Sequence, residues 1–308
     1  MKVLQINGGE VNGSALDVDH LVRLGGAFGG RHRQVLLGRW SGDATAKARA
    51  MALAAGMMSA GTVVLDGGCL PQPVLSLLAK ENGTGALCTV WPDSVRFLAE
   101  DHGWLADFRG GIGHCTLPPE SGTAALRPMN CYFRKLAQLV DVEAIKESSF
   151  AVRLSASGAA TDFAAKLLAK FNCRIVDEGV DCDAAFSLSA NAGALQVGEY
   201  GPEMTVRMVF EHILEAYPGN TVLSGGDRMA EEIIQSCGCE YFPCGGEEKD
   251  VLDAMRQHGA ALGGAVSTGM VVWRKFQPAA DGLMAMVLIL EMMALSGQSM
   301  TVIAESLR

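Results

Sequence analysis

Apolar and polar positions along the chain fall into a recurring pattern: an apolar run, a turn of small residues, then a segment with helical period. In "QVLLGRWSGDATAKARAMALAAGMMSAG", Val35 to Leu37 read as a strand and Gly38 to Gly42 as the turn. The Ala/Met-rich stretch from Thr45 then carries a helical period and stops at Gly61, a good C-terminal residue. In "FAVRLSASGAATDFAAKLLAKFNC", the strand is Phe150 to Leu154, "SASG" is the turn, and Thr161 is placed to cap the helix. In "NTVLSGGDRMAEEIIQSCGC", Thr221 to Leu223 is the strand, and Asp227 caps the helix after "SGG". Further strand-like runs lie at 62–68, 85–90 and 173–179, and "VRMVFEHILEAY" predicts a helix opening at Thr205. Strands alternating with helices argue for parallel or mixed sheets covered by helices. Three such units predict an α/β protein of three small α/β/α domains of related build.

The remaining segments are connections or core. "GGAFGG" at 25–30 follows a helical pattern and lacks the Lys-Ser/Thr ending of a phosphate loop, so it reads as a helix stop. "RGGIGHCTLPPESGTAALRPMN" at 109–130 reads as a long loop, and "GEYGPEMT" at 198–205 as a boundary. "LMAMVLILEMMAL" at 283–295 is too short to cross a bilayer and contains Glu291, so it predicts a buried helix.

Composition narrows the function classes. With 308 residues, 49% hydrophobic and 19% charged, the chain can fill a substantial core. The net charge of −9 argues against nucleic acid as a partner, and an anionic substrate would need a local basic pocket. The start "MKVLQINGGEV" is too short and polar for a signal peptide. Nine Cys without a secretory signal fit free thiols in a reducing cytoplasm, which gives the expected location, with no membrane partner. The 15 Met suit adaptable packing, and a homo-oligomer or a partner protein is the expectation drawn from them.

Candidate chemistry is sparse. Cys237, Cys239 and Cys244 stand close in "CGCEYFPCGG", but a fourth ligand at zinc spacing is missing, so they read as free thiols. The histidines show no H-x-x-x-H pair, and no serine stands in a G-x-S-x-G elbow. "GRHRQ" (Arg31 to Arg33) reads as a solvated turn before a strand, and "WRKF" puts Arg274 and Lys275 beside aromatics on a strand.

The order of elements resembles the α-D-phosphohexomutase superfamily, the phosphoglucomutase and phosphomannomutase type. The stretch "ALGGAVSTGMVVWRKFQPAADGLMAMVLILEMMALSGQSMTVIAESL" is similar to that family's third domain. "VVLDGGCLPQPVLSLL" and "VLLGRWSGDATAKARAMALAAGMMSAG" are similar to two segments of its first. The resemblance implies domain I at 1–135, an abbreviated domain II at 136–200 and domain III at 201–308, with the fourth, phosphate-binding domain expected to be absent.

The resemblance also implies where catalytic groups would stand. The nucleophile loop Thr-Ala-Ser-His-Asn-Pro matches "LCTVWPDSVRF", where Thr89 remains, Trp91 occupies the serine place and Ser94 is the next hydroxyl. Trp cannot accept a phosphoryl group. The metal loop Asp-Gly-Asp-Ala-Asp-Arg is matched to "DCDAAF", leaving Asp181 and Asp183 as residual carboxylates for Mg²⁺, with Ala185 and Phe186 in place of the third carboxylate and the basic residue. The sugar loop matches 263–269, where Ala265 stands for its Glu, Gly269 for its His, and Ser267 is the polar survivor. Trp40, Gly42 and Asn12 fill the places of further charged family residues. These losses predict a protein with the phosphohexomutase fold, without mutase catalysis and without a cofactor, that serves in binding, regulation or assembly. A sugar phosphate is the small-molecule ligand the resemblance implies, with Ser267, Arg274 and Lys275 as candidate contacts. The alternative expectation is a divergent phosphosugar mutase or phosphatase using a substitute hydroxyl or a partner chain.

Overall fold

A computed structural model describes residues 10–12, 16–84, 86–92, 94–99 and 127–308. The chain divides into two compact units, Met1–Pro128 and Met129–Arg308.

The first unit runs β1 (Glu10–Asn12), α1 (Val18–Gly29), β2 (Gln34–Arg39), α2 (Ala44–Ser59), β3 (Val63–Cys69), α3 (Gln72–Glu81), β4 (Ala86–Val90) and β5 (Ser94–Ala99). Its sheet has the order β1-β5-β4-β2-β3, with β2 parallel to both β3 and β4 and the remaining pairs antiparallel. Asp43 caps α2 by accepting from the Ala46 amide at 2.8 Å, so the helix opens at Ala44, one residue ahead of the expected start at Thr45.

The 25–30 segment departs from its expected role as a helix stop. α1 continues through Gly25 and Gly26 to Gly29, because α2 lies so close that a side chain has no room. A Cβ at Gly25 would stand 2.2 Å from the Leu53 carbonyl oxygen, and one at Gly56 would stand 2.0 Å from that of Val22. Tertiary packing here outweighs the intrinsic cost of glycine inside a helix, about 1 kcal/mol per residue.

The second unit begins with α4 (Pro128–Leu136) and α5 (Val142–Ser148). Then come β6 (Ala151–Ser155), α6 (Ala159–Lys170), β7 (Arg174–Ile175), β8 (Ala184–Leu188) and β9 (Leu195–Val197). It continues with α7 (Pro202–Ala216), β10 (Thr221–Ser224), α8 (Arg228–Ser236), β11 (Tyr241–Pro243), α9 (Glu248–His258), β12 (Leu262–Ala265), β13 (Met270–Trp273), α10 (Gly282–Ser296) and α11 (Met300–Ser306).

Several expectations shift by a few residues. The 173–179 strand shrinks to β7, because the chain turns away at "DEGV" after the Val176 amide donates to the Val152 carbonyl. Helix α6 starts after Gly158 (φ 57°), so Thr161 lies inside it rather than at its cap. Helix α7 starts at Pro202, and the Thr205 hydroxyl donates instead to the Leu195 carbonyl at 2.8 Å. Of the 109–130 stretch, residues 109–126 lie outside the described residues, and Pro128 to Asn130 open α4. Asp227 does cap α8, accepting from the Ala230 amide at 2.8 Å.

The two sheets of the second unit have the orders β7-β6-β8-β9 and β11-β10-β12-β13. In each, the first three strands are parallel and the last is antiparallel. With β1 set aside, the first unit's sheet reads β3-β2-β4-β5 in the same sense. The chain thus builds one supersecondary unit three times: strand, helix, edge strand, crossover, then a hairpin. The crossover from edge strand to third strand holds a helix in the first copy (α3) and in the third (α9). In the middle copy, β7 joins β8 through residues 176–183 with no helix.

Buried polar contacts hold the second unit together. Asp281, with no exposed surface, caps α10 through the Met284 amide. It also accepts from the Tyr132 hydroxyl (2.8 and 2.9 Å) and from the Gln277 amide (2.5 Å). The Glu291 carboxylate meets His212 Nε2 at 2.7 Å and accepts from the Asp141 amide at 2.5 Å. Arg207 of α7 forms a fork on Asp227 at the start of α8 and donates to the Leu307 carbonyl, tying the end of α11 to these helices. α10 is the buried helix expected from its apolar run, and no single helix among the described residues is long and apolar enough to cross a membrane.

Candidate functional site

In open α/β sheets, ligands bind beyond the carboxyl ends of parallel strands. In the first unit this edge carries the turn between β4 and β5. Hairpin pairing brings the Trp91 amide to the Ser94 carbonyl at 2.8 Å, so Trp91 sits at the tip of β4. Its indole stacks on Trp40, which follows β2, with ring centroids 4.8 Å apart. The Arg96 guanidinium lies 4.7 Å from the Trp91 ring centre. The Trp91 Nε1–H donates to the Thr89 hydroxyl at 3.1 Å. Thr89 and Ser94 are 2% and 3% exposed, so both hydroxyls are withdrawn into the sheet. Arg39, Trp40, Leu70, Gln72, Leu75, Thr89 and Trp91 enclose a cleft of about 10 Å³, room for no more than about one water. The two indoles and Arg96 are packed together at the tip of β4.

The repeat locates the equivalent turns in the other two copies. The β8–β9 turn is Ser189-Ala190-Asn191-Ala192-Gly193-Ala194. It is satisfied internally: Asn191 Oδ1 accepts from the Ser189 hydroxyl (2.8 Å) and the Gly193 amide (3.0 Å), and the Ala194 amide donates to Ser189 Oγ (3.0 Å). It offers no carboxylate. Asp181 and Asp183 stand elsewhere, ahead of β8 at the opposite edge of the sheet. Asp183 is a structural clamp, because its carboxylate accepts from the Ala151 amide at 2.7 Å while its own amide donates to the Ala151 carbonyl. Phe186 lies in β8 with its side chain in the core. The two aspartates of "DCDAAF" thus stand before β8, and Ala184 to Phe186 lie within it. Mg²⁺ prefers hard anionic oxygens. The donors at the β8–β9 turn do not fit it, and no group of three His, Cys, Asp or Glu side chains able to hold a metal occurs among the described residues.

In the third copy the β12–β13 turn spans Val266 to Gly269, with Ser267 exposed and the Val266 amide bonded to the Ser224 carbonyl. Ala265 is buried in β12, and Gly269 (φ 72°) is pressed against the Leu195 carbonyl, where a Cβ would lie 2.0 Å away. Arg274 and Lys275 follow β13 at the other end of the hairpin, since Trp273 pairs with Leu262 and Met270 with Ala265. Lys275 lies over the Tyr217 ring at 3.3 Å. The structure thus separates Ser267 from the two cations by the length of β13.

None of the described cysteines is in a disulfide, and the Cys239 thiol is engaged locally, accepting from the Gly219 amide and donating to the Cys237 carbonyl. Arg31 and Arg33 are exposed just before β2, as the turn reading expects. Of the N-terminal "NGGEVNG", only Glu10 to Asn12 are described, and they form the edge strand β1.

Residues 212–308 match the model for phosphoglucomutase/phosphomannomutase, alpha/beta/alpha domain III. Among solved structures, the chain is similar to a protein from Thermus thermophilus assigned as a phosphomannomutase, with TM-score 0.82, 17% identity, and coverage of 99% of this chain and 83% of that one. A phosphoglucomutase/phosphomannomutase family protein from Burkholderia thailandensis gives TM-score 0.78 at 17% identity, covering 98% of this chain and 79% of that one. The phosphoglucomutase parafusin of Paramecium gives TM-score 0.70 at 11% identity, covering 99% and 73%. No curated protein matches the sequence significantly.

Proposed function

We propose that this chain, which has the phosphohexomutase fold and whose residues 212–308 form a phosphoglucomutase/phosphomannomutase domain III, is a binding or assembly protein that performs no mutase catalysis. The observation that carries the reading is the Trp40–Trp91–Arg96 stack at the tip of β4. Phosphoryl transfer through an enzyme intermediate needs a hydroxyl free to move in line with phosphorus, with cationic or metal stabilisation of the equatorial oxygens. Here the nearest hydroxyl, Thr89, is buried and already accepts the Trp91 indole N–H. The β8–β9 turn supplies neutral side chains bonded to one another, so a metal that would spread the developing charge lacks ligands. The two deficits lie in different copies of the repeat, so no single substitution repairs both.

The test is turnover of glucose 1-phosphate with Mg²⁺ and a hexose 1,6-bisphosphate primer. The expected result is no conversion by the native chain, and equally none by Trp91→Ser, which restores a hydroxyl but no metal ligand. Conversion by the native chain would reject the proposal in favour of a divergent mutase. Conversion by Trp91→Ser alone would show that only the nucleophile had been lost.

A further inference from the structure

The middle copy of the repeat lacks the crossover helix that its two sisters possess, and the face this uncovers is built differently. In the first copy α3 covers the sheet at Gly38, where a Cβ would stand 2.2 Å from Leu75. In the third, α9 covers Val222 and its β12 partner Gly263, with Val222 in one core cluster with Val251 and Met255. Gly38 and Val222 each precede by five residues the N-cap of the helix that follows, Asp43 and Asp227. The residue at that place in the middle copy, counted from Gly158, is Arg153. A position that is glycine or valine beneath a helix is thus an arginine where the helix is absent.

Strand register shapes the space around it. Arg153 pairs with Ala185 and Ser155 with Ser187 across β6 and β8, so the face presents a cation, a methyl group and two hydroxyls. Together with Cys182, Asp183, Gly198–Tyr200, Met300 and Thr301, these residues line a cavity of about 510 Å³, well within the range of small-molecule sites, about 300–1,000 Å³. Arg153 donates through Nη2 to the Val180 carbonyl at 2.6 Å. Its Nε is buried without a partner, and no carboxylate among the described residues lies within ion-pairing distance. Arg153 is half-buried, and an oxyanion in the cavity would give its buried Nε–H the partner it lacks through a charge-assisted hydrogen bond. The acids on the wall do not supply it: Asp183 is held by the Ala151 amide, and Glu199 is exposed.

We propose that this cavity is a binding site for a small molecule bearing an oxyanion, a carboxylate or a phosphate. Arg153 holds the anion and the hydroxyls of Ser155, Ser187 and Thr301 donate to its remaining oxygens. The site goes beyond the reading above and does not depend on it, because it shares no residue with the β4–β5, β8–β9 or β12–β13 turns.

The experiment is calorimetric titration of the full chain with inorganic phosphate and, separately, with malonate. Saturable binding of either probe is expected, and which one binds identifies the source of the oxyanion. Arg153→Met should weaken that binding at least about tenfold. Arg153→Lys should weaken it less. Ala185→Leu, which fills the cavity while leaving the cation in place, should abolish it. Urea unfolding of each variant guards against loss through misfolding, and Ala185→Leu gives an independent arm should Arg153→Met unfold. Absence of binding by both probes overturns the proposal, as does binding that survives both Arg153→Met and Ala185→Leu.

Discussion

Gly56→Ala is expected to destabilise the first unit by about 2–4 kcal/mol, although alanine is the better helix former. The added methyl would meet the Val22 carbonyl oxygen at 2.0 Å and the Gly26 amide nitrogen at 2.7 Å. Both are backbone atoms, so no rotamer change gives relief and the two helices must move apart. That movement would also loosen Gly25 against Leu53 and Gly29 against Met57. Helix α2 contributes Leu53 and Met57 to the core shared with Phe28 and Phe97, so separation opens the centre of the unit. For a domain near 100 residues, each 1 kcal/mol corresponds to about 4–8 °C in Tm. The measurement is thermal unfolding followed by the fluorescence of Trp40 and Trp91. Ala55→Gly, on the exposed side of the same helix, should lower stability by only about 1 kcal/mol. A Gly56→Ala variant as stable as the native chain would show that α1 and α2 do not pack so closely.

The second large effect concerns Asp281. Asp281→Ala removes the cap of α10 and leaves the Tyr132 hydroxyl buried without its acceptor. A cost of about 3–5 kcal/mol is expected from cap and orphaned donor together. Burial raises the carboxyl from its ordinary value near 3.8 to about 7, against the opposing pull of its hydrogen bonds. The folded state therefore holds this proton over a pH range in which the unfolded chain has released it. Stability from this group is fully present below about pH 4, declines as pH rises, and is lost above about pH 7. Urea unfolding at steps from pH 4 to 8 should show the native chain losing stability relative to Asp281→Asn across that interval. A difference that stays flat would mean that Asp281 is ionised throughout, held by Tyr132, Gln277 and the helix amides.

Legibility of the fold followed the reach of the forces involved. Local signals were sufficient at Asp227, where a short acceptor precedes a helical period, and in α10, whose apolar run, interrupted only by Glu291, reads as a buried helix. They misled at 25–30, where glycines that elsewhere end helices serve instead as the contact with α2. Asp183 works as a clamp on β6, a partner 32 residues away that no periodicity reveals. Trp91 was readable as an obstacle to catalysis, but its stacking on Trp40 depends on β2 and β4 being parallel neighbours. The Arg153 cavity had one sequence signal: "VDEGVDCD" between β7 and β8 is too short to hold a crossover helix. That shortness became informative only once the other two copies showed what was missing.

The most direct measurement of the central claim is the intact mass of the purified chain after incubation with Mg²⁺ and a hexose 1,6-bisphosphate. With the β4 tip closed by Trp40, Trp91 and Arg96 and Thr89 tied to the Trp91 indole, the mass is expected to be unchanged. An added phosphoryl group on Thr89 or Ser94 would contradict this account and establish a working nucleophile.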